Sequence, residues 1–349
     1  MKFFNLIIAV VLSLGSTYST AQIADEVDDS LKAFRSFYEQ QFGRSQRCIK
    51  QNIQEQKVCS AILRNEGNAP FILFQNTVSD EIVVLVHGLS DSPFYLRSIA
   101  EALHDQGSTV AVMLMPGHGL IEADADMEDT TLSDRWTKAL ANVVQIVRPM
   151  GQKLYVGGFS AGGALAAQFA LRNENDVSGL LLFSSALGLS ENAESMSRIW
   201  GMQAIARWVD GDYVTHGPNP FKYPAVSMSS VIELMEVIWD VRSQYEDKPV
   251  NIPTFVAHSV ADVTTPLSGV EAFLANNLGA HTQVIVDQDY QLCHGDLTLN
   301  QAQVDEINFP SVKDQIVDRC HVPKANPLYQ HMIAMLVNFI DQTKKAPTE

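Results

Sequence analysis

Leu154-Tyr155-Val156-Gly157-Gly158-Phe159-Ser160-Ala161-Gly162-Gly163 is an apolar run that closes on Gly-x-Ser-x-Gly and continues into small residues. The run reads as a buried strand, and Ala161 to Leu171 reads as a helix whose first turn is small enough to lie close against a sheet. A serine on a sharp strand-to-helix turn is lifted out of the sheet with its Oγ exposed. The flanking glycines let neighbouring backbone approach where a Cβ would clash. The pentapeptide alone is weakly specific, because its residues are common; the strand before it and the helix after it make Ser160 a candidate nucleophile.

Outward from this stretch, strands and helices alternate. Upstream, Phe71 to Phe74 and Ile82 to Val86 read as consecutive strands, the second continuously apolar as expected of an interior strand covered on both faces. It ends in His87-Gly88-Leu89-Ser90-Asp91-Ser92-Pro93, where Asp91 or Ser92 can cap the next helix and Pro93 suits its first position. The His-Gly turn leaves backbone N–H groups at the strand end; it is either an ordinary connection or, in the right fold, a donor site for an oxyanion. Ser108 to Leu114 is a further strand before the Met115-Pro116-Gly117-His118-Gly119 loop, and Trp136, Leu140, Val143 and Val147 line a helix. Downstream, Gly179 to Phe183, Thr254 to Ala257 and Gln283 to Val286 are strands, and Pro327 to Phe339 is a closing helix behind Asn326 as its cap. This alternation predicts an α/β fold with a mostly parallel sheet flanked by helices. Between Gly188 and Pro249 an insertion rich in Met and aromatics interrupts it. Most of its large side chains are expected to pack, and a cap over the strand ends is the sharper reading.

The 349 residues carry 40 acidic and 24 basic side chains, a formal charge of −16, with no Lys/Arg-rich run. Nucleic acid and anionic membrane surfaces are excluded as favoured partners, and a small-molecule substrate is expected. Met1 to Asn5, the apolar run Leu6 to Leu14 and Ser19-Thr20-Ala21 have the form of a secretory leader cut near Ala21, so the mature chain is expected to be secreted or periplasmic. That run is too short to span a bilayer, and no stable membrane insertion is expected. Val27, Leu31, Phe34 and Tyr38 recur at helical spacing, which predicts an N-terminal helical extension over residues 22–70 ahead of a main domain over 71–349. Export makes Cys48, Cys59, Cys293 and Cys320 disulfide candidates. Three pairings are possible; the two local ones are favoured because each would staple a segment with a weak core signal, and no zinc-like spacing supports a metal site.

A serine nucleophile needs a general base, and the base needs a partner that fixes its tautomer. Asp262 falls on the loop after Thr254 to Ala257, and His294 on the loop after Gln283 to Val286, in the chain order serine, acid, histidine. With these residues in view, the chain from about Phe71 to Ile340 resembles the α/β-hydrolase superfamily, especially its capped esterases and monoacylglycerol-lipase-like members. The likeness rests on His87-Gly88-Leu89-Ser90, Pro116-Gly117-His118-Gly119, Gly158-Phe159-Ser160-Ala161-Gly162, the Asp262 loop and Cys293-His294-Gly295-Asp296-Leu297. It implies Ser160 as nucleophile, His294 as base, Asp262 as its acid, the N–H groups of Leu89 and Ala161 as oxyanion hole, a helical cap over about 188–249, and no metal or organic cofactor.

Two departures leave alternatives open. Residues 22–70 match nothing in the family core, and the long segment between His294 and the last helix contains His321, a competitor for the role of base. His331 is a weaker one, Glu191 is an alternative acid, and His258 is expected to be structural. The activity so implied is hydrolysis of hydrophobic carboxylic esters through an acyl-enzyme. Acyl transfer, thioester or peptide cleavage on the same fold, or binding without turnover, are the other readings.

Overall fold

The computed structural model describes residues 25–49, 52–189, 194, 213–310 and 319–345. The expected leader, Glu191 and the insertion residues Met196, Trp200, Met202 and Trp208 lie outside them.

Residues 25–42 are helical (α1). There follow β1 (Glu55–Lys57), β2 (Phe71–Leu73), β3 (Ser79–Val86), α2 (Arg97–Asp105), β4 (Thr109–Met113), the one-turn α3 (Asp124–Met127), α4 (Leu132–Val147), β5 (Gly151–Phe159), α5 (Ala161–Arg172) and β6 (Val177–Phe183). The insertion contains α6 (Met228–Asp247), and after it come β7 (Thr254–Ser259), α7 (Leu267–Ala275), β8 (His281–Val286), α8 (Gln301–Ile307) and α9 (Tyr329–Lys345). The eight strands form one sheet in the order β1-β2-β4-β3-β5-β6-β7-β8. The pairs β1/β2 and β2/β4 are antiparallel, and every other neighbouring pair is parallel.

The continuous apolar runs are explained by burial on both faces. Alternate side chains of β3 point to opposite sides, so Ile82, Val84 and Val86 enter a core with α1, α4, α5 and α6, while Val83 and Leu85 enter a second core with α2 and α9. No helix among the described residues is long and apolar enough to cross a membrane.

The segment expected as a helical extension is built into the fold. Its Phe34 and Tyr38 are fully buried in the first core, a gain of about 1.5–3 kcal/mol for each such side chain. Its second half also supplies β1 at the sheet edge rather than helix. The sequence Glu-Gln-Lys hides this strand, because its two buried charges face each other and Glu55 is further paired with Arg97, far along the chain. Glu55 lies 3.3 Å from Lys57 and 2.9 Å from Arg97.

Two smaller expectations also change. Ser92 does stand at the start of the next helical turn, Pro93–Leu96, but its hydroxyl caps nothing; it donates to the Phe221 carbonyl at 2.8 Å, across the insertion. Asn326 accepts from the Leu328 amide at 2.8 Å, one residue before α9 begins.

Tyr38 ties α1 to the sheet through a single backbone position: its hydroxyl accepts from the Leu114 amide at 3.0 Å and donates to the Leu114 carbonyl at 3.3 Å. Tyr38→Phe removes both partners in a fully buried site, so it should cost about 1–3 kcal/mol. Chemical denaturation should show a lower midpoint at unchanged slope.

Candidate active site

Four parallel strands end on one side of the sheet, where open α/β sheets gather their ligands. β3 delivers the turn His87-Gly88-Leu89, β5 delivers Ser160, β7 is followed by Asp262, and β8 by His294. Ser160 is held at φ 55° and ψ −120°, a conformation unusual for a residue with a side chain. It persists because α5 is clamped onto the strands below. A Cβ on Gly158 would run into the backbone of Gly162, and one on Gly162 would run into the carbonyl oxygen of Val86.

The three polar side chains meet. His294 Nε2 is 2.9 Å from Ser160 Oγ, and His294 Nδ1 is 2.6 Å from Asp262 Oδ2. A carboxylate only accepts, so the imidazole donates through Nδ1 and offers Nε2 as acceptor for the serine hydroxyl. Asp262 is held in turn. Its Oδ1 accepts from the amides of Thr264 and Thr265 at 2.9 and 3.1 Å, and Oδ2 accepts from the Thr265 hydroxyl at 3.0 Å. Burial pushes the Asp262 carboxyl up, but the charge and hydrogen bond of His294 and the Thr265 amide outweigh it, and its pKa falls to about 2. Phe159 packs its ring on the other side of the His294 imidazole, centroid to centroid 4.8 Å.

Of the competing residues, His258 is fully buried, with Nε2 2.8 Å from the Thr265 carbonyl and 3.9 Å from Asp262. His321 lines the cleft without reaching Ser160 or Asp262 by a hydrogen bond, and His331 is exposed on α9. The two local cysteine pairs are disulfides, Cys48 to Cys59 and Cys293 to Cys320, each with Cα atoms 5.5 Å apart. The second joins the residue before His294 to the residue before His321.

Leu89 and Ala161 both lie beside Ser160. Ala161 is the first residue of α5, where backbone N–H groups have no partner within the helix. The turn carrying Leu89 lies against the serine, since a Cβ on Gly88 would stand 3.1 Å from Ser160 Cβ. His87 donates from Nδ1 to the Gly88 carbonyl at 2.8 Å and accepts from the Met115 amide on Nε2 at 3.1 Å. Full burial and the neighbouring His118 push its pKa well below the ordinary imidazole value, in keeping with an acceptor nitrogen.

A cleft of about 650 Å³ opens over Ser160. Its lining includes Leu189, Pro224, Val226, Val231 and Leu234 from the strand β6 end and the insertion. Its polar groups form one cluster that the sequence did not reveal. Lys222 pairs with Asp91 at 2.9 Å and sits 5.6 Å above the Tyr95 ring, and the Tyr95 hydroxyl accepts from Asn219 at 2.8 Å. Asp296 completes it, with Oδ1 accepting the Lys324 amide at 3.0 Å. These residues come from three segments distant in the chain, so no local spacing marks them.

A family model described as Hydrolase_4, serine aminopeptidase S33, matches residues 77–290. The thermostable monoacylglycerol lipase of Bacillus sp. (strain H-257) is 26% identical over 183 residues, which cover 52% of this chain and 69% of that relative. Among solved structures, a metagenome-derived lipolytic enzyme superposes with a TM-score of 0.53 at 19% identity, covering 68% of this chain and 94% of its own. The monoacylglycerol lipase of Paleococcus ferrophilus superposes with a TM-score of 0.50 at 15% identity, covering 75% and 94%. These two share the fold.

Asp296 gives a test of the cluster's electrostatics. Burial raises its pKa to about 6 against the opposing pull of Lys324 and Lys222. A carboxyl raised in the folded state favours folding most below its unfolded pKa, and that contribution is lost as pH rises through 6. Asp296→Asn keeps the acceptor for Lys324 and removes the charge. Melting curves should show the variant more stable than wild type at pH 8, by about 2–4 °C, with the difference gone at pH 4.

Proposed function

The chain belongs to the Hydrolase_4 family, serine aminopeptidase S33, and from that premise we propose that it is an exported serine hydrolase that cleaves carboxylic esters of hydrophobic acyl groups. The observation that carries the proposal is the unbroken chain from Asp262 through His294 to Ser160, 2.6 and 2.9 Å, at the floor of a largely apolar cleft.

In the first half-reaction Ser160 Oγ attacks the ester carbonyl carbon while His294 Nε2 takes the hydroxyl proton. The carbonyl oxygen becomes an anion within reach of the N–H groups of Leu89 and Ala161. Asp262, ionised at any pH above its low pKa, stabilises the imidazolium that forms. As the tetrahedral species collapses, the ester C–O bond breaks and the His294 proton passes to the departing alkoxide oxygen. Water then repeats the sequence on the acyl-enzyme: His294 removes its proton, its oxygen bonds the acyl carbon, and Ser160 regains a proton as the acid leaves.

The apolar lining supports an acyl chain as the occupant of most of the cleft, with the segment over about 188–249 acting as its cap. The likeness to a monoacylglycerol lipase supports ester rather than peptide cleavage. Export is supported by the leader-like first 21 residues together with the two disulfides.

The test is hydrolysis of p-nitrophenyl esters of graded acyl length, and of monoacylglycerols, by the mature protein, with Ser160→Ala in parallel. The variant should lose at least about 10⁴-fold in kcat, and the length profile should favour acyl chains long enough to fill the cleft. Turnover that survives in Ser160→Ala, or activity confined to aminoacyl-p-nitroanilides, would overturn the proposal.

A further inference from the structure

The turn that carries Leu89 is pinned at three successive carbonyls, each by a different part of the chain. His87 donates to Gly88 O at 2.8 Å, His118 Nε2 stands 2.7 Å from Leu89 O, and the Tyr223 amide, from the insertion, donates to Ser90 O at 2.7 Å. The first bond is local to its strand end and the third is backbone to backbone. The middle one depends on a side chain, that of His118, which is almost completely buried.

The surroundings of His118 determine which nitrogen carries its proton. Nδ1 faces Pro116 O at 3.1 Å, but that oxygen already receives the Trp136 indole N–H at 3.0 Å. Leu89 O has no other donor among the described residues. A ring with one proton therefore satisfies more groups with it on Nε2. Burial lowers the His118 pKa, against the carbonyls of Pro116 and Leu89 and the charges of Asp91 and Asp126, so the neutral ring is the form to consider. The remaining ring neighbours are His87, Trp136 and Tyr223, at centroid distances of 5.1, 5.8 and 6.4 Å. His118 is itself fixed, because its own amide donates to Met115 O at 3.1 Å.

We propose that His118 is a positioning residue for the oxyanion site: its Nε2–H, bonded to Leu89 O, holds the backbone of Leu89 so that the Leu89 N–H points at the oxygen developing over Ser160. The proposal rests on the functional reading above, in which Leu89 is a donor. Such a donor acts only when it is aimed before the reaction begins. The Leu89 carbonyl is buried beneath the cleft floor, and without a partner it gains more by rotating toward another donor than by keeping the catalytic orientation. That rotation would carry the Leu89 backbone, and hence its amide, out of line. His118 touches neither substrate nor the reacting atoms, so its removal should be felt in the transition state more than in substrate binding.

The experiment compares His118→Phe, which keeps a planar ring and deletes the donor, with His118→Gln, which returns an N–H at similar reach. Wild type and Ser160→Ala are run beside them, all as the mature chain. His118→Phe should lower kcat by about 10- to 100-fold at a KM within about twofold, less than the loss from deleting an oxyanion donor outright. The rate at which a fluorophosphonate labels Ser160 should fall in parallel, since the phosphonyl oxygen occupies the same site. His118→Gln should recover most of both. Full kcat and full labelling in His118→Phe, with Ser160→Ala inactive, would overturn the role of His118 and leave the serine mechanism standing. Equal losses in both variants that track their melting temperatures would mark His118 as a packing residue and overturn the proposal as well. Turnover retained by Ser160→Ala would instead overturn the serine mechanism, and His118 with it.

Discussion

The contact on which the rest depends is between backbones: α5 begins directly above β3 and β5, with Gly162 against the Val86 carbonyl and Gly158 against Gly162. No other residue type fits at either place, since a Cβ would collide with main chain that cannot move aside without breaking the parallel pairing of β3 with β5. The closeness forces the intervening Ser160 into its left-handed conformation, and that conformation turns its hydroxyl out of the sheet. Asp262, His294 and the Leu89 turn meet Ser160 only because this one position is fixed. Each reaches it from a different strand end, and none could follow if α5 shifted by the width of a methyl group.

Around that fixed point the site is preorganised by neutral and charged groups in different ways. Asp262 keeps its charge in a buried setting because two amides, a hydroxyl and an imidazole all face it. Removing so many donors from water is costly, and the return is a carboxylate with one orientation. The donor turn instead relies on acceptors being answered one by one, Gly88, Leu89 and Ser90 in succession. One of those answers comes from the insertion, so the covering segment and the catalytic floor are mechanically continuous through Tyr223, which also receives the Leu120 amide on its hydroxyl at 2.9 Å.

How much of this was legible in the sequence follows from range. The central strands were readable because residues 82–86, 110–115 and 154–159 carry no charged or strongly polar side chain, as burial on both faces requires. Ser160 and Asp262 were readable because each follows a buried strand, and His294 because it falls on the loop after β8, and the structure brings those three side chains together. The edge strand β1 was not. Its Glu55 and Lys57 look like surface residues until Arg97 arrives from 40 residues away. Thr265 carried no signal beyond its closeness to Asp262, although it contributes two bonds to that carboxylate. The polar cluster of Asp91, Tyr95, Asn219, Lys222 and Asp296 exists only after folding, and so does the use of the Ser92 hydroxyl to hold Phe221 instead of capping a helix. Interactions of that kind leave no period in the chain.

The Cys293 to Cys320 bridge binds the neighbour of His294 to a segment that also lines the cleft. Its closure excludes from the unfolded ensemble all arrangements in which those two positions are far apart, and the loop it shuts is the long one that separates His294 from the last helix. Of the three side chains that meet at Ser160, the imidazole is thus the one whose neighbour in the chain is cross-linked covalently. Thiols and oxidants outside the molecule thereby gain a say in geometry inside it. Where the surroundings keep sulfur reduced, Ser160 and Asp262 retain their full support from the sheet, while His294 depends on noncovalent packing alone. Redox surroundings thus bear on how firmly the loop that carries His294 is held.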